Sequence, residues 1–162
     1  MKKTLTIIAV LLIALLAFTG CEPAAGGNSG GEPDTWSTVT DLSQLIGTWK
    51  NVQTDGGDSM TTVYDCSMKA GEFVCSLTMT VKCGTAASWA EFKETITAQG
   101  LANEYTFNES TYTATKYDDT GIPTLAIIFA VAVEQIEINN TGTKLKFLSA
   151  EEGTPDLIYI KQ

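Results

Sequence analysis

The segment Glu72–Lys82 constrains the fold most strongly. Phe73, Cys75, Leu77, Met79 and Val81 occupy every second position, with Ser76, Thr78, Thr80 and Lys82 between them. A period of two places the first set on one face of a strand and the second on the other. The segment therefore reads as a half-buried antiparallel strand. Much of the surrounding sequence is of the same kind, rich in Thr, Val, Ile, Tyr and Phe, which suit a pleated surface. Turn signals interrupt it at short intervals: Asp55-Gly56-Gly57-Asp58, Ala70-Gly71-Glu72, Asp118-Asp119-Thr120-Gly121, Asn139-Asn140-Thr141-Gly142 and Glu151-Glu152-Gly153-Thr154-Pro155. Short strands at such spacing predict an all-β sandwich or barrel.

Further strands are predicted at about 47–54, 61–66, 103–108, 111–118 and 157–161. The hairpin centred on Asn140–Thr141, or one residue later, predicts a register in which Ile136 and Ile138 face Leu145 or Phe147, and Glu137 faces Lys144 or Lys146. Both faces then agree in chemistry. Leu125–Ile138 is the most apolar part of the chain after the N-terminus and reads as a strand buried on both faces; it is too short to span a bilayer. Ser88–Glu94 fits a short helix, with Trp89, Phe92 and Ile96 on one face and Ser88 as its cap, answered by Glu91.

The N-terminus carries an address. Met1-Lys2-Lys3 is positive, and Leu5–Phe18 is uncharged and apolar. As a helix, Leu5–Phe18 spans about 21 Å, less than the ~30 Å of a hydrocarbon core. That is the length of a signal-peptide core. Phe18-Thr19-Gly20-Cys21 follows, and it resembles the lipobox of bacterial lipoproteins. The resemblance implies cleavage between Gly20 and Cys21, diacylglycerol on the Cys21 thiol and an acyl group on its new amine. Apart from this covalent lipid, no cofactor is expected. The expected location is the cell membrane or outer membrane, facing the periplasm or the exterior. One acyl chain binds a membrane marginally, whereas two or more hold it. Residues 1–20 are then the signal, and 21–38 form a Gly-, Pro- and Ser-rich tether. A single domain occupies 39–162.

Composition narrows the function classes. Without Lys2 and Lys3 the chain has 8 lysines against 19 acids, a net charge of −11, and it has no Arg or His. Nucleic-acid binding rests on neutralising phosphates, so no nucleic-acid partner is expected. The absence of His removes Ser-His-Asp and Cys-His catalysis and the commonest metal ligand. No phosphate loop or nucleophile elbow is present, so no catalytic or metal residues are assigned and the chain is read as a non-enzyme. Asp55–Asp58 lacks the acidic spacing of a calcium loop. Trp36, Trp89, Tyr105, Tyr112 and Tyr117 are aromatic candidates for a sugar or lipid site, or for core packing.

Three cysteines lie in the domain, and export permits a disulfide. Cys66 and Cys75 flank Ser67–Glu72, read as a hairpin loop, and are the first choice for a bridge; Cys66 with Cys83 is the alternative. Cys75 and Cys83 share a face of one strand and do not bond each other.

Leu45-Ile46-Gly47-Thr48-Trp49-Lys50 opens the first long strand, and its Gly47-x-Trp49 resembles the lipocalin signature. The layout of lipobox, tether and successive hairpins is similar to lipocalin-like domains of bacterial lipoproteins. The resemblance implies a small antiparallel up-and-down barrel with Trp49 packed across its base against a basic side chain from the last strands. Lys144, Lys146 and Lys161 are the candidates for that side chain. Gly47 and Trp49 are fold residues on this reading. The chain ends without the helix that follows the last barrel strand in lipocalins. Two functions remain in view, binding of a small apolar ligand and a surface interaction module such as an adhesin, an inhibitor or an envelope scaffold. Oligomeric state is left open.

Overall fold

The computed structural model describes residues 33–119, 136–148 and 156–162. Gly20, Cys21, most of the tether and most of Leu125–Ile138 lie outside the described residues. Within them the chain forms β1 (Trp36–Thr38), β2 (Gly47–Asp55), β3 (Asp58–Lys69), β4 (Glu72–Lys82), α1 (Ala86–Ala98), β5 (Tyr105–Asn108), β6 (Thr113–Asp118), β7 (Ile136–Asn139), β8 (Lys144–Phe147) and β9 (Leu157–Lys161). The strands make one antiparallel sheet in the order β1-β7-β8-β9-β2-β3-β4-β6-β5.

The expected all-β antiparallel class is present, with one helix, but the described strands do not close into a barrel. Among the described residues β1 pairs only with β7 and β5 only with β6, so both are edges of the described sheet. Nor is the order up-and-down. The chain leaves β4 through α1, lays β5 at the edge, and returns β6 into the place beside β4. The helix supplies the physical reason for the open edge. Trp89, Phe92 and Ile96 of α1 cover Met60, Met79, Val81, Ala114, Tyr105 and Phe107. Apolar side chains that a closing barrel would bury against opposite strands are buried against a helix instead.

The alternation in β4 is as read. Phe73, Cys75, Leu77, Met79 and Val81 are buried and the residues between them are not. The expected end of β3 at Cys66 is too early. The strand runs to Lys69, and the loop to β4 is only Ala70-Gly71, both in the left-handed region (φ 53° and 87°). A two-residue turn of this kind matches the twist of the strands it joins, so polar Ser67–Lys69 pair rather than loop out. The register of the later hairpin is Ile136–Phe147, Glu137–Lys146 and Ile138–Leu145, one of the alternatives stated above.

The N-cap of α1 lies three residues before the expected one. Thr85, not Ser88, is the N-cap, and Ser88 closes the capping box on it. Asp58 decides this start, since its carboxylate accepts from the Gly84 N–H (2.7 Å) and the Ser88 hydroxyl (3.0 Å). The β2–β3 turn thus fastens the first turn of the helix.

The domain also starts earlier than residue 39. Trp36–Thr38, assigned to the tether, are β1. The Asp34 carboxylate accepts from Lys144 Nζ (2.6 Å) and Asn139 Nδ2 (2.8 Å), and both bonds hold its pKa below the usual carboxylate range. Asn139 is buried, and its side-chain carbonyl accepts from the Thr143 and Lys144 N–H groups. One asparagine therefore joins the β7–β8 turn to the chain entering the sheet.

Candidate functional site

The two faces of the sheet have different chemistry, and each is a candidate. On the inner face, Trp49 anchors the region where β2 begins. Asp41 caps a 3-10 turn, Leu42–Leu45, that delivers the chain into β2. Trp49 is 1% exposed, and its Nε1 donates to the Leu45 carbonyl at 2.7 Å. Lys161 opposes Trp49 in register and lies with Nζ 5.0 Å from its ring. Of the three candidate lysines, Lys161 is the one over this indole. Gly47 explains itself at the same place. Its φ is +133°, and a Cβ there would stand 2.7 Å from Lys161 Cε. Gly47 and Trp49 thus make a packing unit with the last strand.

Cys66 and Cys75 face each other across β3 and β4 and form a disulfide, with Cα atoms 4.1 Å apart. They are buried on the inner face. Cys83 is a buried free thiol, its pKa pushed up by burial and by the neighbouring Asp58. The alternative Cys66–Cys83 bridge is not formed.

Further along the inner face, two apolar clusters meet. One gathers Leu45, Trp49, Tyr64, Leu77, Ile136 and Leu145, and the other lies under α1. Polar side chains run along the junction. The hydroxyls of Thr62, Tyr159 and Tyr64 form a hydrogen-bonded chain, and burial pushes Tyr64 up to about 12 and Tyr159 well above the usual tyrosine value. The rings of Tyr64, Phe147 and Tyr159 cluster with centroids 5.0–6.2 Å apart, Tyr64 stacked on Phe147 and Tyr159 tilted against both. Lys116, its side chain only 8% exposed, is ion-paired with Glu104, and Tyr105 donates to Met79 Sδ at 3.8 Å. These groups are satisfied by one another.

The aromatic candidates separate accordingly. Trp89, Tyr105 and Tyr112 pack under or around α1. Trp89 Nε1 donates to Glu109 at 2.5 Å, Lys93 bonds the same carboxylate at 3.0 Å, and together they lower its pKa. Trp36 and Tyr117 lie on the outer face instead, Trp36 with Lys146 Nζ 4.6 Å from its ring and Tyr117 mostly exposed.

The outer face was not singled out in the sequence. Ile158 and Ile160 of β9 are 38% and 52% exposed, and Val52 of β2 is 51% exposed. Lys144 and Lys50 flank Ile160 in register, and Lys146 lies beside Ile158. Asn51 Nδ2 donates to the Ile158 carbonyl at 2.7 Å, keeping β9 against β2 where their ladder ends. The nearby lysines are paired, Lys144 with Asp34 and Lys146 with Glu137 (2.5 Å). The sequence signal for this patch is weak, because Leu-Ile-Tyr-Ile in a terminal strand does not say which alternate residues stay uncovered.

Among the described residues no group of three His, Cys, Asp or Glu side chains is placed to hold a metal. No helix among them is long and apolar enough to cross a membrane. Comparison with family models, curated proteins and solved structures found no match.

Proposed function

We propose that this protein is a non-catalytic envelope lipoprotein, acylated on Cys21, whose sheet is an interaction module acting through its outer face. The single observation that carries the reading is the division of the two faces. On the inner face the described apolar side chains are buried among one another, and the hydroxyls and the Lys116 amine at the junction of the two clusters are partnered. On the outer face Val52, Ile158 and Ile160 stay uncovered on neighbouring strands. Apolar side chains gathered on an exposed sheet face mark a binding surface more often than scattered ones do. The domain is then a lipocalin-like sheet, with the Gly47–Trp49–Lys161 unit in the place of the lipocalin base, used for its surface.

A second reading, a carrier of a small apolar ligand, draws on the inner junction. Hydroxyls of Thr62, Tyr64 and Tyr159 and the amine of Lys116 between two apolar clusters are the kind of lining a ligand site uses. Native mass spectrometry of the protein extracted from its own host membrane separates the two. The interaction module predicts a mature chain starting at acylated Cys21 with no small molecule at near one-to-one. A stoichiometric small molecule makes the protein a carrier. A mature chain with an unmodified cysteine removes the anchor.

A further inference from the structure

We infer that the outer face of β8, β9 and β2 is the surface on which the domain lies against the lipid bilayer that holds it, an inference that rests on the acyl anchor proposed for Cys21. The first observation is chemical. Ile158, Ile160 and Val52 are exposed apolar side chains, and Lys50, Lys144 and Lys146 stand between and beside them. Trp36 extends the patch under Lys146. Indole rings and lysines are the residues that settle at a membrane–water boundary, the ring at headgroup level and the ammonium reaching for water and phosphate along an apolar stem.

The second observation is where the chain leaves the sheet. Cys21 and Asp34 are thirteen positions apart in the chain, a span that covalent geometry limits to about 45 Å. Asp34 is ion-paired to Lys144, at the margin of this patch, and Trp36 is two residues on. Lipid on Cys21 therefore brings this part of the sheet to the membrane at high effective concentration. A protein partner has no such connection to the patch, which is why the bilayer is the occupant the structure favours.

The third observation is electrostatic. The mature chain carries −11 overall, and anionic headgroups repel such a surface. On this face Lys144 and Lys146 are ion-paired with Asp34 and Glu137, and Lys50 stands beside Ile160. These lysines offset nearby carboxylates, so this face meets an anionic membrane with less repulsion than the domain's net charge alone would give. Apolar insertion supplies the attraction, and the lysines reduce the repulsion.

Trp36 provides the test in the intact lipidated protein. Trp49 and Trp89 are 1% and 3% exposed and are shielded from lipid. In vesicles of phosphatidylcholine and phosphatidylglycerol brominated on the upper acyl carbons, the Trp36 part of the emission is expected to be quenched, and Trp36→Phe to remove the quenching. The double variant Ile158→Glu, Ile160→Glu should stay in the vesicles through its lipid yet lose the quenching. Val52→Glu, on a strand paired along its length with β3, serves if the double variant does not fold. An acylated wild type whose emission ignores the bromines overturns the inference, and so does a dimer in detergent-free solution that the same variants dissolve, which would assign the face to a second copy. A wild type that leaves the vesicles with Cys21 unmodified instead overturns the anchor on which the inference rests.

Discussion

At the residue scale, Gly47 and Trp49 depend on each other through Lys161. The left-handed backbone at Gly47 strains any side chain there, and a Cβ would also push the flexible end of Lys161 off the Trp49 ring. Gly47→Ala should therefore lower stability by about 1–3 kcal/mol, the cost of a strained backbone position, read from urea midpoints. Trp49→Ala removes a buried indole and its hydrogen bond to Leu45, and should cost about 3–5 kcal/mol; an unchanged melting temperature would remove its role as a core anchor. The tyrosines give a pH dependence with a definite sign. Tyr64 is raised from the usual 10 to about 12 by burial. Its neutral form is thus favoured in the folded state, and the stabilisation is complete below pH 10 and lost as pH rises toward 12. The melting temperature should fall over that window, and Tyr64→Phe should flatten the fall, Tyr159 retaining part of it.

At the element scale, two connections control the sheet. The β3–β4 hairpin is closed by a two-residue turn and by the Cys66–Cys75 disulfide, nine residues apart in sequence. On a chain-entropy model a loop that short contributes about 2–3 kcal/mol, so the Cys66→Ser, Cys75→Ser double variant should lose about that much in a denaturant titration. Ala70 occupies a left-handed position in the same turn. Asn tolerates that conformation better, and Ala70→Asn should raise stability by about 0.5–1 kcal/mol. The helix connection was half legible. Trp89, Phe92 and Ile96 at helical spacing exposed its apolar side, but its start depends on Asp58, thirty residues before Ser88. Local capping rules choose among nearby hydroxyls and do not see a carboxylate arriving from another turn.

At the scale of the whole molecule, the domain limit and the anchor make the clearest predictions. A chain begun at residue 39 lacks Asp34 and β1, leaving Asn139 and Lys144 without that carboxylate and β7 as a bare edge. It should melt below a chain begun at residue 33, and the difference should narrow only as pH falls below the ordinary carboxylate value of 3.8. The sign follows from Asp34, whose depressed pKa means that its stabilisation is present above the ordinary carboxylate value and lost as pH falls through the folded one. Cys21→Ser should move the protein from the membrane fraction to the soluble one; unchanged retention would remove the lipid anchor.

Period-two alternation, turn dipeptides and a matched charge pair were enough to specify most strands from the sequence alone. Glu72–Lys82 and Leu157–Lys161 are strands over the residues expected, and the 136–147 hairpin has an expected register. These are short-range properties, set by which face of a residue's own strand must be buried. The resemblance placed Trp49 near a lysine from the last strands, and left three to choose from. Only the tertiary structure chose Lys161, because the choice depends on how β9 registers on β2 across more than a hundred residues. Openness of the sheet was likewise beyond the sequence, since a helix and an opposing strand offer β5 and β6 equivalent apolar cover. So was the outer patch. Burial of Tyr159 and exposure of Ile158 and Ile160 are assigned by strand pairing, and nothing in the side chains themselves distinguishes an isoleucine that is covered from one that is left facing out.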